Sequence, residues 1–106
     1  MWFEVPARDS ARAQEFYRGL FGWEFDRFGD ADYHTTAAAG AIAGGAEEQG
    51  LLTYFGVSDV DAAVGRVRDL GGGSGAPEEI PDVGRYARCS DPDGNRFGLF
   101  QATAAS

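Results

Sequence analysis

The stretch Gly84–Gln101, GRYARCSDPDGNRFGLFQ, reads as two antiparallel strands joined by a turn at Asp91-Pro92-Asp93-Gly94-Asn95. Pro92 pre-sets the first turn dihedral, and Asp93-Gly94 supplies a residue that accepts positive φ. Side chains on a strand alternate between faces. Tyr86, Arg88 and Ser90 therefore share one face before the turn, and Arg96, Gly98 and Phe100 share it afterwards. Ala87, Cys89, Phe97 and Leu99 form the other face, which is plain core. The first face mixes aromatic, charged and small residues, as the floor of a binding cavity does. A solvated second face is the plainer alternative.

The rest of the chain supports a two-faced sheet. Trp2–Pro6 reads as a strand with Phe3 and Val5 on one side and Trp2, Glu4 and Pro6 on the other. Asp9 or Ser10 then caps a helix whose apolar stripe is Ala13, Phe16, Tyr17 and Leu20, closed by Gly22. Strands are expected at 23–28 and 33–37, and a softer one within the Ala/Gly-rich 38–45. Glu47-Glu48-Gln49-Gly50 reads as a polar linker. The order then restarts. Leu51–Val57 is a strand with Leu52, Tyr54 and Gly56 on one face, and Asp59 caps a helix with Val60, Val64, Val67 and Leu70 on its stripe. Gly71–Gly73 ends that helix, and a loop or short strand through Pro77 and Pro81 leads into the hairpin.

Two halves thus repeat at an offset of about fifty residues: Asp9 with Asp59, Ala13 with Ala63, Leu20 with Leu70, Gly22 with Gly72. A unit of that size buries too little core alone. The expected class is α+β, one domain over 1–106 built from two βαβββ modules, 1–49 and 50–106, whose strands form a curved mixed sheet with a cavity.

Composition narrows the function. The formal charge is −8, and all nine basic residues are Arg. A basic nucleic-acid footprint is absent and an anionic membrane surface is disfavoured. Without Lys there is no Schiff-base chemistry. The single Cys, Cys89, sits on the apolar side of its strand and reads as an inert core thiol. With no long apolar run and no leader pattern, a cytoplasmic location is expected.

FEVPARDSARAQEFYRGLFGWEF in the first half, with FGVSDVDAAVGRVRDLGG and SDPDGNRFGLFQ in the second, resembles the vicinal oxygen chelate superfamily. That group contains glyoxalase I, extradiol dioxygenases, fosfomycin-resistance proteins and bleomycin-binding proteins. Its metal-dependent members place His, Gln or Glu on the inner face of four strands. Carried over to this chain, those positions are Trp2, Leu52 and Gly98, with the remaining one near Gly44. None of these side chains ligates a divalent ion. The resemblance then points to the metal-free members, which bind a drug or metabolite without a cofactor, and to a homodimer.

The expected ligand-binding residues are Trp2, Glu4, Leu52, Tyr54, Tyr86, Arg88 and Phe100. The aromatics would stack on a flat ligand, with Glu4 and Arg88 fixing its polar ends. Mutual pairing of Glu4 and Arg88 is the structural alternative. No catalytic residue and no metal ligand is assigned. The favoured reading is a metal-free binder of an aromatic or partly polar metabolite or antibiotic. The alternative is a lyase- or isomerase-type enzyme, metal-free with Glu4 as general base and Arg88 stabilising an anion, or a metal-dependent relative. A purely structural dimerisation module is a third reading. His34 is the only histidine, and its face is open. Glu47-Glu48 reads as a solvated turn, and Asp91 and Asp93 as turn formers.

Overall fold

A computed structural model describes residues 1–45 and 50–103. The expected linker carboxylates Glu47 and Glu48, and the last residues of the tail, lie outside the described residues. The chain forms two compact units, Trp2–Leu52 and Met1 with Thr53–Ser106.

The N-terminal unit contains β1 (Trp2–Pro6), α1 (Ser10–Phe21), β2 (Asp26–Arg27), β3 (Tyr33–Thr36) and β4 (Gly40–Ala43). The C-terminal unit contains β5 (Leu52–Gly56, within this unit from Thr53), α2 (Val60–Asp69), β6 (Gly73–Ser74), β7 (Glu78–Ile80), β8 (Gly84–Ser90) and β9 (Arg96–Ala102). Strand order is β2-β3-β4-β1 in the first and β5-β9-β8-β6 in the second, with β7 also pairing β8. In each unit the opening strand lies parallel to the closing one, and the closing strand pairs antiparallel with its predecessor. The units share a topology, and the chain is α+β; the C-terminal unit adds one short strand.

Both helices begin as the sequence requires. Asp9 Oδ1 accepts from the Arg12 N–H, and Asp59 Oδ1 accepts from the Ala62 N–H, each at 3.1 Å. Each carboxylate satisfies one of the amides that a helix start leaves without a partner, worth about 1 kcal/mol. Gly22 closes α1 with φ 73°, and Gly71, just past α2, has φ 92°. The hairpin turn is held by Asp91, whose Oδ1 accepts from the Asp93 and Asn95 amides while Gly94 takes φ 87°.

The core of the C-terminal unit is Val60, Val64, Ala87, Cys89 and Leu99, flanked by Val57, Ala63, Val67 and Phe97. These are the α2 stripe and the helix-facing side of the hairpin. The thiol of Cys89 is buried. Phe55, which alternation with Tyr54 puts on the α2 side of β5, is exposed although it meets Phe97 at 6.2 Å between ring centroids, and Leu70 of the expected α2 stripe lies exposed beyond the end of α2.

The N-terminal unit departs further from expectation. No residue of α1 is buried, and Phe16 and Leu20 are 63% and 60% exposed. The strand expected at 23–28 shrinks to Asp26–Arg27. Aromatic stacking accounts for this. Trp23 stacks on Phe21 at 4.7 Å and Tyr17 at 5.8 Å, and it meets Phe3 of β1 at 5.5 Å. The indole that would have extended β2 instead ties the end of α1 to the sheet.

Register corrects one position. Glu4 pairs with Ala41 as Tyr54 pairs with Gly98, and Glu4 and Tyr54 are repeat partners. The first-half counterpart of Gly98 is therefore Ala41, not Gly44. Gly44 lies beyond β4, where an added Cβ would run into the Asp32 carboxylate.

Candidate functional site

In the C-terminal unit the sheet face turned away from α2 is laid out by strand pairing. One row across β5, β9 and β8 is Tyr54, Gly98 and Arg88; the next is Gly56, Phe100 and Tyr86. β7 extends the second row, since Glu78 pairs with Tyr86. Four expected residues, Tyr54, Tyr86, Arg88 and Phe100, therefore share one surface. Their neighbours on the strands, Ala87, Cys89 and Leu99, are buried against the α2 side. Tyr86 and Arg88 do not lie under the helix.

The side chains form a connected group. Tyr54 is buried, and its ring covers Gly98 so closely that a Cβ built there would collide with it. Its hydroxyl accepts from Arg88 Nε at 3.3 Å. The Arg88 guanidinium carbon lies 5.8 Å from the Tyr86 ring centre, within cation–π range. The Tyr54 and Tyr86 rings meet edge to face at 6.2 Å. The Tyr86 hydroxyl donates to Glu78 Oε2 at 3.2 Å. Burial raises the Tyr86 pKa, and its bond to the Glu78 carboxylate adds to the rise, so the phenol keeps its proton.

Phe100 leans towards Gly84, whose hypothetical Cβ would lie 2.9 Å from the ring tip. On the other flank of Phe100 a Cβ built on Gly56 meets nothing within 4 Å. The surface thus has a filled glycine, Gly98, and an open one, Gly56.

Trp2, Glu4 and Leu52, also expected at the site, belong to the N-terminal unit. Trp2 Nε1 donates to the Tyr33 hydroxyl at 2.9 Å. Glu4 is an 8% exposed carboxylate, and Leu52 is buried. The same register logic puts Tyr33 and Thr35 beside Ala43 and Ala41 on the Glu4 face. His34 pairs with Ile42, which pairs with Val5, so it lies on the face of Phe3 and α1 instead.

There Asp32 Oδ1 accepts from Ser10 Oγ at 2.6 Å and lies 2.9 Å from His34 Nε2. The hydrogen bond from Ser10, then that from His34, holds the Asp32 pKa below its usual value. The carboxylate is in the middle, so the imidazole cannot draw the serine proton. This is the wrong order for an activated nucleophile.

The residues do not fit a divalent metal at the positions carried over by resemblance. At Gly98 the Tyr54 ring occupies the volume a ligating side chain needs. Trp2 offers only an N–H donor, already used by Tyr33. Leu52 and Ala41 have no donor atom. Among the described residues no three His, Cys, Asp or Glu side chains converge.

Sequence reading missed Glu78 and Gly56. Glu78 lay in a segment between two prolines that reads equally as loop, and Gly56 has no side chain to attract notice. Alternation of Gly56 with Tyr54 was the available signal.

Three known proteins frame this geometry. CFP32 of Mycobacterium bovis, whose name provisionally makes it a glyoxylase, is 33% identical over 117 residues, covering 95% of this chain and 44% of that protein. The anthracycline biosynthesis protein DauV of Streptomyces sp. strain C5 is 27% identical over 125 residues, covering 94% of this chain and 46% of that one. The chain therefore spans less than half the length of these curated relatives. Homoprotocatechuate 2,3-dioxygenase from Brevibacterium fuscum superposes with a TM-score of 0.72 over 97% of this chain and 36% of that chain, at 19% identity, which is a likeness of fold. The model of the glyoxalase-like domain matches residues 2–100. By that match, and by the repeated topology described above, the chain belongs to the glyoxalase-like domain family of the vicinal oxygen chelate superfamily.

Proposed function

We propose that this protein binds a small aromatic or partly polar organic molecule without a metal, and that the helix-distal face of the C-terminal unit is the binding surface. One observation carries the reading: Tyr54 fills the space over Gly98, replacing a ligand position with an aromatic floor. Tyr86, Phe100 and Arg88 then surround that floor with two ring surfaces and one oriented cation. Such a surface is unusual for plain solvation and suits stacking combined with one or two polar anchors. The relationship to an anthracycline biosynthesis protein supports a polycyclic or aromatic ligand. Trp2, Glu4 and Leu52 are proposed as ligand-binding residues of the N-terminal unit itself. A homodimer is the expected assembly.

The test is thermal shift with a panel of bicyclic aromatics of different charge, on protein stripped with EDTA. A ligand at one hundred times its Kd stabilises by about 2.7 kcal/mol. Stabilisation by at least one member, lost in Tyr86→Ala, is expected. No shift from any member, or shifts only after a divalent metal is restored, would overturn the proposal.

The burial of Glu4 favours a second reading, an enzyme that removes a proton next to a carbonyl. It requires solvent deuterium to enter a bound ketone or thioester and Glu4→Gln to stop the exchange.

A further inference from the structure

We propose that the outer face of α1 is a self-association surface, on which two copies of this chain pack their α1 helices antiparallel, Phe16 of each seated on Gly19 of the other and Arg12 of each facing Glu24 of the other. This names the surface of the homodimer expected above and is independent of the ligand reading.

The face is set by helical spacing. Arg12, Phe16, Gly19 and Leu20 fall at i, i+4, i+7 and i+8 of α1, so they form one stripe. All four are exposed. Tyr17, about a quarter turn away, takes the inner side: it stacks on Trp23, which meets Phe3 of β1. The stripe therefore points away from the sheet. Phe16 meets the Tyr17 ring edge to face at 5.1 Å, which steadies the Phe16 ring and leaves most of it bare. Single apolar residues are ordinary on a surface, but large ones side by side mark a contact.

The partner follows from what lies beside Phe16. Gly19 is the one glycine inside α1. It has no positive φ, and a Cβ built there meets nothing within 4 Å. Neither its backbone conformation nor packing within this chain asks for a residue that weakens a helix. On an exposed stripe it leaves a notch where a second helix comes close, beside a ring of the size to enter it. Two-fold symmetry makes such a face complementary to itself. An axis crossing α1 between residues 17 and 18 lies equally far from Phe16 and Gly19, so it sets each ring on the notch of the other copy. The same axis brings Arg12 level with position 23 of the second copy, next to Glu24, which is exposed just beyond the helix.

Charge fixes the direction. The stripe begins with basic Arg12, and the chain leaves the helix through acidic Glu24 and Asp26. Antiparallel copies set these opposite charges together at both ends of the contact. Parallel copies would set Arg12 against Arg12, ring against ring and notch against notch. A standard interface takes about 20–30 residues a side, and α1 has 12, so the association is weak and follows concentration.

The test is sedimentation velocity of the wild type, Gly19→Leu, Arg12→Glu, Glu24→Arg and the double variant Arg12→Glu with Glu24→Arg, over about a hundredfold range of concentration. The wild type should pass from monomer to dimer within that range. Gly19→Leu fills the notch with a better helix former. It should weaken dimerisation about tenfold or more while the melting temperature of the dilute protein stays at or above wild type. Each single reversal sets like charges together at both ends and should weaken dimerisation about tenfold, and the double variant should regain the wild-type constant. A wild type that stays monomeric throughout overturns the surface and the homodimer together, and leaves the binding reading standing. A dimer that Gly19→Leu leaves unchanged or tightens overturns the surface alone. Single reversals without effect, or a double variant that regains nothing, overturn the antiparallel pairing.

Discussion

Gly98→Ala and Gly56→Ala form a matched pair of perturbations. Both glycines lie in strands, face the same side and have no positive φ. Such a replacement ordinarily stabilises by about 0.4–1 kcal/mol, because alanine gives the unfolded chain less freedom to lose. At Gly56 the new methyl enters open space, so that gain should appear. At Gly98 the methyl collides with Tyr54, whose ring is buried and whose hydroxyl is tied to Arg88. Relief requires moving the ring off its seat. Overpacking of this kind costs about 1–3 kcal/mol, and loosening the bond from Arg88 adds to the loss. The two variants should therefore differ by about 2–4 kcal/mol, with opposite signs relative to wild type. Urea unfolding with a common slope measures the difference. In a Tyr54→Leu background the penalty at Gly98 should largely disappear, a coupling of about 1–3 kcal/mol. Equal stability of the two alanine variants, or an undiminished Gly98 penalty without the Tyr54 ring, would refute the packing that excludes a metal ligand from this position.

Other expectations can be checked in the same unfolding assays. Leu99→Ala should cost about 2–5 kcal/mol, because Leu99 is buried between the hairpin and α2. Asp59→Ala should cost about 1 kcal/mol through loss of the α2 cap. Asp91 has a pKa held below the ordinary 3.8, first by its side-chain bond with Asn95, then by the Asn95 amide. Its folded pKa is depressed, so its contribution is present above 3.8 and is lost as pH falls through the folded value. The stability deficit of Asp91→Ala at neutral pH should accordingly shrink below pH 3.8, and a deficit that does not change with pH would contradict that assignment.

The hairpin was legible in the sequence because its turn has a single chemistry and its strands are long enough to fix parity. Tyr86, Arg88, Gly98 and Phe100 landed on one face for that reason. The Asp59 cap was equally legible, since a carboxylate before an apolar periodic run has few other roles; at the first helix the sequence left Asp9 or Ser10, and the bond from the Arg12 amide decides for Asp9. His34 was not, because β3 follows a Gly-Asp turn and precedes an Ala/Gly-rich segment that leaves its register open; pairing with Ile42 decides the face. Phe16 and Leu20 misled for a different reason. Helical spacing marks a stripe but not what covers it, and the Trp23 stack takes hold of Tyr17 and Phe21 instead. Glu78 escaped because a three-residue strand between prolines carries no periodicity.

The central claim, metal-free binding on the helix-distal face of the C-terminal unit, is tested most directly by calorimetric titration of EDTA-stripped protein with the bicyclic aromatic panel, repeated after adding zinc or manganese and in Tyr86→Ala. The account predicts saturable binding of a panel member that the added metal leaves unchanged and that Tyr86→Ala abolishes. Binding that appears only once metal is restored, or that survives unaltered in Tyr86→Ala, would contradict it.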